Sequence, residues 1–223
     1  MTLSVIVPTY AMTPAVHDLW ESNRAEMERV ATVPTEIIVV DNGSKYFPKK
    51  MTTTWRHNRG VAPAWNEGVS NATGTVLAFV TSTTRVMSGW DAKLCAVAQS
   101  GRYIAMPLTN GIKNEGIGIT GWCWVLTRAL WDEIGPFDET FVPVQYEDTD
   151  YFHRAINQGA ELVTVRGANV CRAGRHLSYA GTPVQALRIH MANRWRYAWK
   201  HDVDPNDVPP FWKTPLRDVE VPQ

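Results

Sequence analysis

Short apolar runs alternate with stretches of helical spacing through the first half of the chain. LSVIVP, from Leu3 to Pro8, ends in proline, as a strand entering a loop does. Between Pro14 and Val30, the residues Val16, Leu19, Trp20, Met27 and Val30 recur at helical intervals. TEIIVVDNGS reads as a second buried strand closed by the turn formers Asp41, Asn42 and Gly43. RGVAPAWNEGVSNATG predicts a helix with a glycine exit at Gly74, and TVLAFV a third strand. A helix from Ser88 to Gln99 and a short strand, RYIAMP, follow. Such alternation predicts an α/β protein with a mostly parallel sheet flanked by helices and ligands at the carboxyl ends of its strands.

The second half is less regular. IGITGWCWVLTRALWDEIGPF combines glycine turns, an aromatic-rich strand and a short helix stopped at Gly135-Pro136. YEDTDYFHRAINQG is a helix with acids at its start and a glycine stop at Gly159, and AELVTV is another strand. Pro183 opens a last helix, PVQALRIHMANRWRYAWKH, and the proline-rich, initially acidic tail over 202–223 is extended. No internal repeat or linker is visible, so a single compact domain over 1–201 is expected. Its two parts are 1–110 and 111–201.

Composition narrows the class. A chain of 223 residues, 44% hydrophobic and 20% charged, can bury a substantial core. Its longest apolar runs are far shorter than the roughly 20 residues that span a bilayer, so no integral membrane contact is expected. The N-terminus MTLSVIVPTY has neither a basic region nor a small-residue cleavage site and is read as carrying no signal peptide. Three widely spaced cysteines, Cys95, Cys123 and Cys171, fit neither a disulfide framework nor a zinc site, which favours a cytoplasmic protein. The formal net charge is zero, yet no acid occurs between Arg166 and His201, a segment holding six arginines, Arg166 included, and Lys200. That asymmetry suggests a face for an anion.

The segments SVIVPTY, EIIVVDNGS, NRGVAPAWNEGVSNATGTVLAF, RVMSGW, GPFDETFVPVQYEDTDYFHRAINQGAELVTV and NRWRYAWK, in this order and spacing, resemble the inverting family-2 glycosyltransferases of GT-A (Rossmann-like) fold. The resemblance implies transfer of a sugar from a nucleoside-diphosphate sugar to an acceptor hydroxyl. It places Pro8, Thr9 and Tyr10 at the nucleotide base, and Asp41 within reach of a base or ribose hydroxyl. Asn58, Arg59 and Gly60 fall at a helix N-terminus suited to an anion, with Asn66 projecting from the same helix. The plain alternatives are a turn at Asp41 and a helix cap with a surface arginine at Arg59. Asp148 is implied as the general base that takes the acceptor's proton, with Glu147 orienting a sugar. Asp150 and Arg154 are spaced as an i,i+4 pair that steadies the helix. Gly121 and Trp122 fall in the sugar- and acceptor-facing loop, and alternation along a strand would put Trp124 on the same side as Trp122.

Relatives of this kind commonly hold Mg²⁺ or Mn²⁺ through an Asp-x-Asp motif after the strand written here as VLAFV. This chain has Thr81, Ser82 and Thr83 there, and Arg172 where a second ligand, often His, falls. Neither a hydroxyl nor a guanidinium suits a hard cation. Metal-independent transfer is therefore expected, with Arg172 pairing with the diphosphate and Arg85 and Arg175 as helpers. A four-residue shift in alignment makes His176 the family histidine and keeps a weakened metal site. The resemblance admits UDP-, GDP- or dTDP-sugar donors and leaves the acceptor open among a glycan, a protein and a hydroxylated base in nucleic acid. A catalytically inactive glycan-binding module is the alternative from another class.

Overall fold

A computed structural model describes residues 1–109, 121–172, 182–207 and 216–221. The first apolar run forms β1 (Leu3–Thr9), and the periodic stretch after it forms α1 (Pro14–Val30). Then come β2 (Thr35–Asp41), β3 (Thr53–Thr54), α2 (Val61–Asn71), β4 (Val76–Val80), β5 (Thr84–Val86) and α3 (Trp90–Gln99). The second half supplies β6 (Tyr103–Thr109), β7 (Cys123–Thr127), α4 (Arg128–Ile134), α5 (Glu147–Asn157), β8 (Glu161–Arg172), α6 (Pro183–His201) and β9 (Arg217–Val219).

All nine strands join one sheet in the order β3-β2-β1-β4-β7-β6-β8-β5, with β9 on β8. The β3-β2-β1-β4 half is parallel. β7 is antiparallel to both β4 and β6, and β5 is antiparallel to β8, so the sheet is mixed. The tail is not wholly free of the body, since Arg217–Val219 pairs in parallel with Val163–Val165. No helix among the described residues is long and apolar enough to cross a membrane.

Side chains alternate across the strands and so build two cores. Val5, Val7, Ala78, Val80 and Val125 pack beneath α1 and α3. Ile6, Leu77, Phe79, Trp124 and Leu126 pack beneath α2, α4 and α5. The second core is rich in aromatic rings: Phe79 stacks on Trp124 with centroids 4.2 Å apart, and Trp131 on Tyr151 at 5.2 Å. Each such pair adds about 0.5–1.5 kcal/mol beyond the area it buries. Together they seat α5 rigidly against the sheet.

Two sequence expectations change here. Trp122 and Trp124 do not share a side, because Trp122 precedes β7 and packs in the α1–α3 core while Trp124 is fully buried in the other. β8 runs on through Arg172 well past AELVTV, because its later residues pair with β5, a strand too short to announce itself.

Candidate active site

The sheet changes direction of growth at β1, which has β2 on one side and β4 on the other. Crossover helices leave a crevice at such a point, outside the carboxyl ends of the strands. A cavity of about 470 Å³ lies there, of the size that holds a small molecule. Its walls carry Pro8, Thr9 and Tyr10 from the end of β1, Asn58 from the loop before α2, and Thr81, Ser82 and Thr83 from the end of β4. Gly121, Trp122, Glu147 and Asp148 complete the wall on the other side. These predicted residues, drawn from distant parts of the chain, meet in one place.

Among the predicted residues that are described in full, four do not line the cavity. Asp41 is fully buried, and its carboxylate accepts hydrogen bonds from Thr9 Oγ1 (3.3 Å), Thr54 Oγ1 (3.0 Å) and the Ser44 N–H (3.4 Å). It fixes the turn, and its neighbour Asn42 reaches the cavity wall instead. Arg59 is exposed and lies over the Trp55 ring at 4.3 Å. Gly60, at φ +107°, is a conformational hinge into α2. Two of the first three positions of α2 offer no free N–H to an anion, because the Val61 N–H donates to Pro143 O at 2.8 Å and Pro63 has no N–H. Asn66 holds another segment: its Nδ2 donates to Phe137 O (3.0 Å) and Glu139 Oε1 (2.9 Å), and its Oδ1 accepts from Phe137 N–H (2.9 Å).

The threonine cluster is self-contained. Thr81 Oγ1 lies 3.0 Å from Thr84 Oγ1 and 3.4 Å from Thr83 Oγ1, and Thr81 N–H donates to Trp122 O at 2.9 Å. Neutral hydroxyls bonded to one another supply none of the anionic oxygens a hard divalent cation requires, so these positions do not fit a metal site. Among the described residues no three His, Cys, Asp or Glu side chains converge as a metal-binding group. The backbone of Arg172 pairs with Thr84, beside Thr83, which brings the two departures from the family pattern to neighbouring strands. Arg175 and His176 lie outside the described residues.

The carboxylates sit at the start of α5 behind a tense loop. Gln145 and Tyr146 both have positive φ, 77° and 73°, which costs a residue with a side chain about 1–3 kcal/mol. Fully buried Asn193 of α6 holds the loop, its Nδ2 lying 2.9 Å from Val144 O, 3.1 Å from Gln145 O and 3.3 Å from Val142 O. Asp150, also fully buried, ties α5 to α6 through Lys200 Nζ (2.7 Å) and His201 Nε2 (2.8 Å) and to its own helix through Arg154 Nε (3.0 Å). The expected Asp150–Arg154 pair is therefore present.

Glu147 and Asp148 differ in electrostatic character. Burial pushes the Glu147 carboxyl well up, and the Asp148 charge beside it pushes it further; its buried Oε2 has no hydrogen-bond partner. Burial also raises Asp148, but Thr149 stabilises its anion through N–H (2.7 Å) and Oγ1 (3.3 Å) contacts to Oδ1. Of the two, Glu147 is pushed up the more strongly, because no hydrogen bond from Thr149 reaches its carboxyl as it does that of Asp148. Asp148 Oδ2 faces Gly121 so closely that a Cβ there would collide with it and stand 2.6 Å from Cγ. Gly121→Ala is therefore expected to displace the carboxylate and lower turnover by about 10²-fold with the fold intact, checked by steady-state assay and circular dichroism.

Several cavity residues escaped the sequence reading: Asn42, Val144, Gln145, Tyr146, Thr149 and His190. VPVQY stood next to YED and could have been included on proximity alone. His190 carries no such signal, since only packing decides which side of α6 faces the cavity, where its Nδ1 stands 3.1 Å from Gln145 Oε1.

Comparison with known proteins identifies the fold. The mannosyltransferase PcManGT from Pyrobaculum calidifontis, solved with GDP-Man and Mn²⁺, superposes with a TM-score of 0.70 at 16% identity, over 94% of this chain and 67% of that one. GalNAc-T7, solved with UDP, GalNAc and Mn²⁺, gives 0.69 at 13% identity over 89% of this chain, which spans about half (48%) of that protein. TarS 1-349 from S. aureus, in complex with UDP-GlcNAc, gives 0.61 at 17% identity over 93% and 69% of the two chains. No curated protein sequence matches the chain. The fold is GT-A, a mixed sheet flanked by helices, and the residues from 4 to 155 match the glycosyl transferase family 2 pattern. The chain belongs to glycosyl transferase family 2.

Proposed function

We propose that the protein transfers a sugar from a nucleoside-diphosphate sugar to an acceptor hydroxyl with inversion, using Asp148 as the general base. The observation that carries this reading is the carboxylate pair on the cavity wall, Asp148 accepting hydrogen bonds from Thr149 and Glu147 keeping an oxygen with no hydrogen-bond partner among the described residues. In the transfer, the acceptor oxygen attacks the anomeric carbon from the face opposite the diphosphate. The bond from that carbon to the diphosphate oxygen breaks with its electron pair, and the acceptor's proton passes to Asp148. Protonated Glu147 offers a donor O–H to a sugar oxygen. The donor nucleotide sits against Pro8, Thr9 and Tyr10, with its phosphates toward Thr81–Thr83. A GDP- or UDP-sugar is supported by the nucleotides of the solved neighbours.

Charge that builds on the departing diphosphate falls to Arg172, whose guanidinium is a permanent cation and whose backbone pairs with Thr84. The expected outcome is a rate unchanged by excess EDTA in a nucleoside-diphosphate release assay. Loss of activity on chelation, restored by Mn²⁺, would overturn the arginine assignment and leave the base assignment intact. The transfer reading itself is tested with a panel of nucleotide sugars, scored by thermal stabilisation and by the anomeric configuration of product. No stabilisation and no release with any donor would refute it.

A further inference from the structure

α6 is mounted with its polar side inward. Against the body it buries Asn193, Tyr197 and Ala198, and to solvent it turns Val184 (60% exposed), Leu187 (60%), Met191 (40%), Trp195 (58%) and Trp199 (87%). Steps of three and four residues line these up along one side, over about 22 Å at 1.5 Å per residue. A surface helix normally hides such a stripe, and a contiguous exposed one marks an interaction face.

Charge selects the partner. Arg194 Nη2 donates to Asn206 O (3.2 Å) and Arg196 Nη1 to Asn193 Oδ1 (2.5 Å), both neutral oxygens, and neither guanidinium forms an ion pair with a carboxylate among the described residues. Arg188, within the stripe, is exposed and has no partner among the described residues. On this helix only Lys200 and His201 meet carboxylates, Lys200 those of Asp138 and Asp150, each at 2.7 Å, and His201 that of Asp150. We propose that α6 docks the protein peripherally on the surface of an anionic lipid bilayer. Aliphatic and indole groups enter the boundary between headgroups and acyl chains, where tryptophan is favoured, and the arginines remain level with the lipid phosphates. A nucleic-acid backbone matches this face poorly, because what points outward along its length is hydrocarbon and indole, which a bilayer boundary takes up and a phosphate backbone does not. His190 on the same helix lines the cavity, so docking sets the catalytic side of the cleft near the bilayer plane.

The test is flotation of the intact protein with phosphatidylcholine vesicles containing about 30% phosphatidylglycerol, against pure phosphatidylcholine. Recovery with the anionic vesicles is expected to exceed that with the neutral ones by about tenfold and to fall as salt is raised. Combined Leu187→Ser, Trp195→Ser and Trp199→Ser changes are expected to reduce vesicle binding about tenfold or more, with circular dichroism and melting midpoint preserved because the side chains are exposed. Parent protein that stays unbound, or a triple variant that floats as well as the parent, overturns the proposal. So does a parental dimer, seen by sedimentation, that the triple variant dissolves in the absence of any vesicle binding, since a second copy then covers the stripe. Duplex DNA binding stronger than vesicle binding overturns it in favour of a nucleic-acid partner.

Discussion

Asp148→Asn is expected to lower turnover by about 10²–10⁴-fold while leaving donor binding nearly unchanged, because an amide cannot accept the acceptor's proton. Glu147→Gln supplies the contrast. A buried neutral carboxyl and a carboxamide have similar shape and both donate, so this change is expected to cost less than about tenfold. If Glu147 were the anion and the base, the two variants would trade places. The pH profile gives an independent reading of the same pair. Asp148 must be ionised to work and its carboxyl is raised by burial, so activity falls as pH drops through a value above the ordinary carboxylate range. Steady-state kinetics across pH on both variants, with thermal shift for donor binding, checks every part.

Asp150→Ala is expected to destabilise the protein by about 3 kcal/mol, among the larger effects of any single change outside the two main cores. The carboxylate is fully buried and answers Arg154, Lys200 and His201 at once; removing it leaves those groups facing one another around a void. Their partial exposure keeps the estimate at the low end, since water can solvate what the carboxylate no longer does. Urea unfolding is the measurement, and a change below about 1 kcal/mol would show that the network is redundant. Asp150→Asn, which keeps the shape and one acceptor, is expected to lose less.

Apolar periodicity made the sheet and helices legible because burial on both faces writes itself into the sequence as continuous runs such as VLAFV and as helical spacing in α1. The YED start of α5 and the threonines after β4 were legible as candidate chemistry through the resemblance to family 2, since acids in a first helical turn are common in any helix, and both lie on the cavity wall. Polar residues committed to distant backbone were not legible. Asp41 and Asn66 have the composition of ligand-binding groups, yet one closes a turn and the other holds Phe137 and Glu139. Only tertiary contacts separate these uses, for an amide in the second turn of a helix carries no mark of what it meets. β5 escaped for a different reason: three residues give no period to read, and its pairing with β8 is decided by the length of the partner strand.

The inward polar side of α6 also ranks the parts of the molecule by how firmly they hold. Its attachment rests on amide and ion-pair contacts and on the small Phe141–Tyr146–Tyr197–Ala198 cluster, which is separate from the two large cores. Such fastenings give way before a continuous hydrocarbon interior does, so the latch on the Val142–Tyr146 loop can release while the sheet stays whole. The Val142–Tyr146 loop can thereby loosen at its own threshold while α5, anchored by Tyr151 and Phe152 in the second core, stays with the frame.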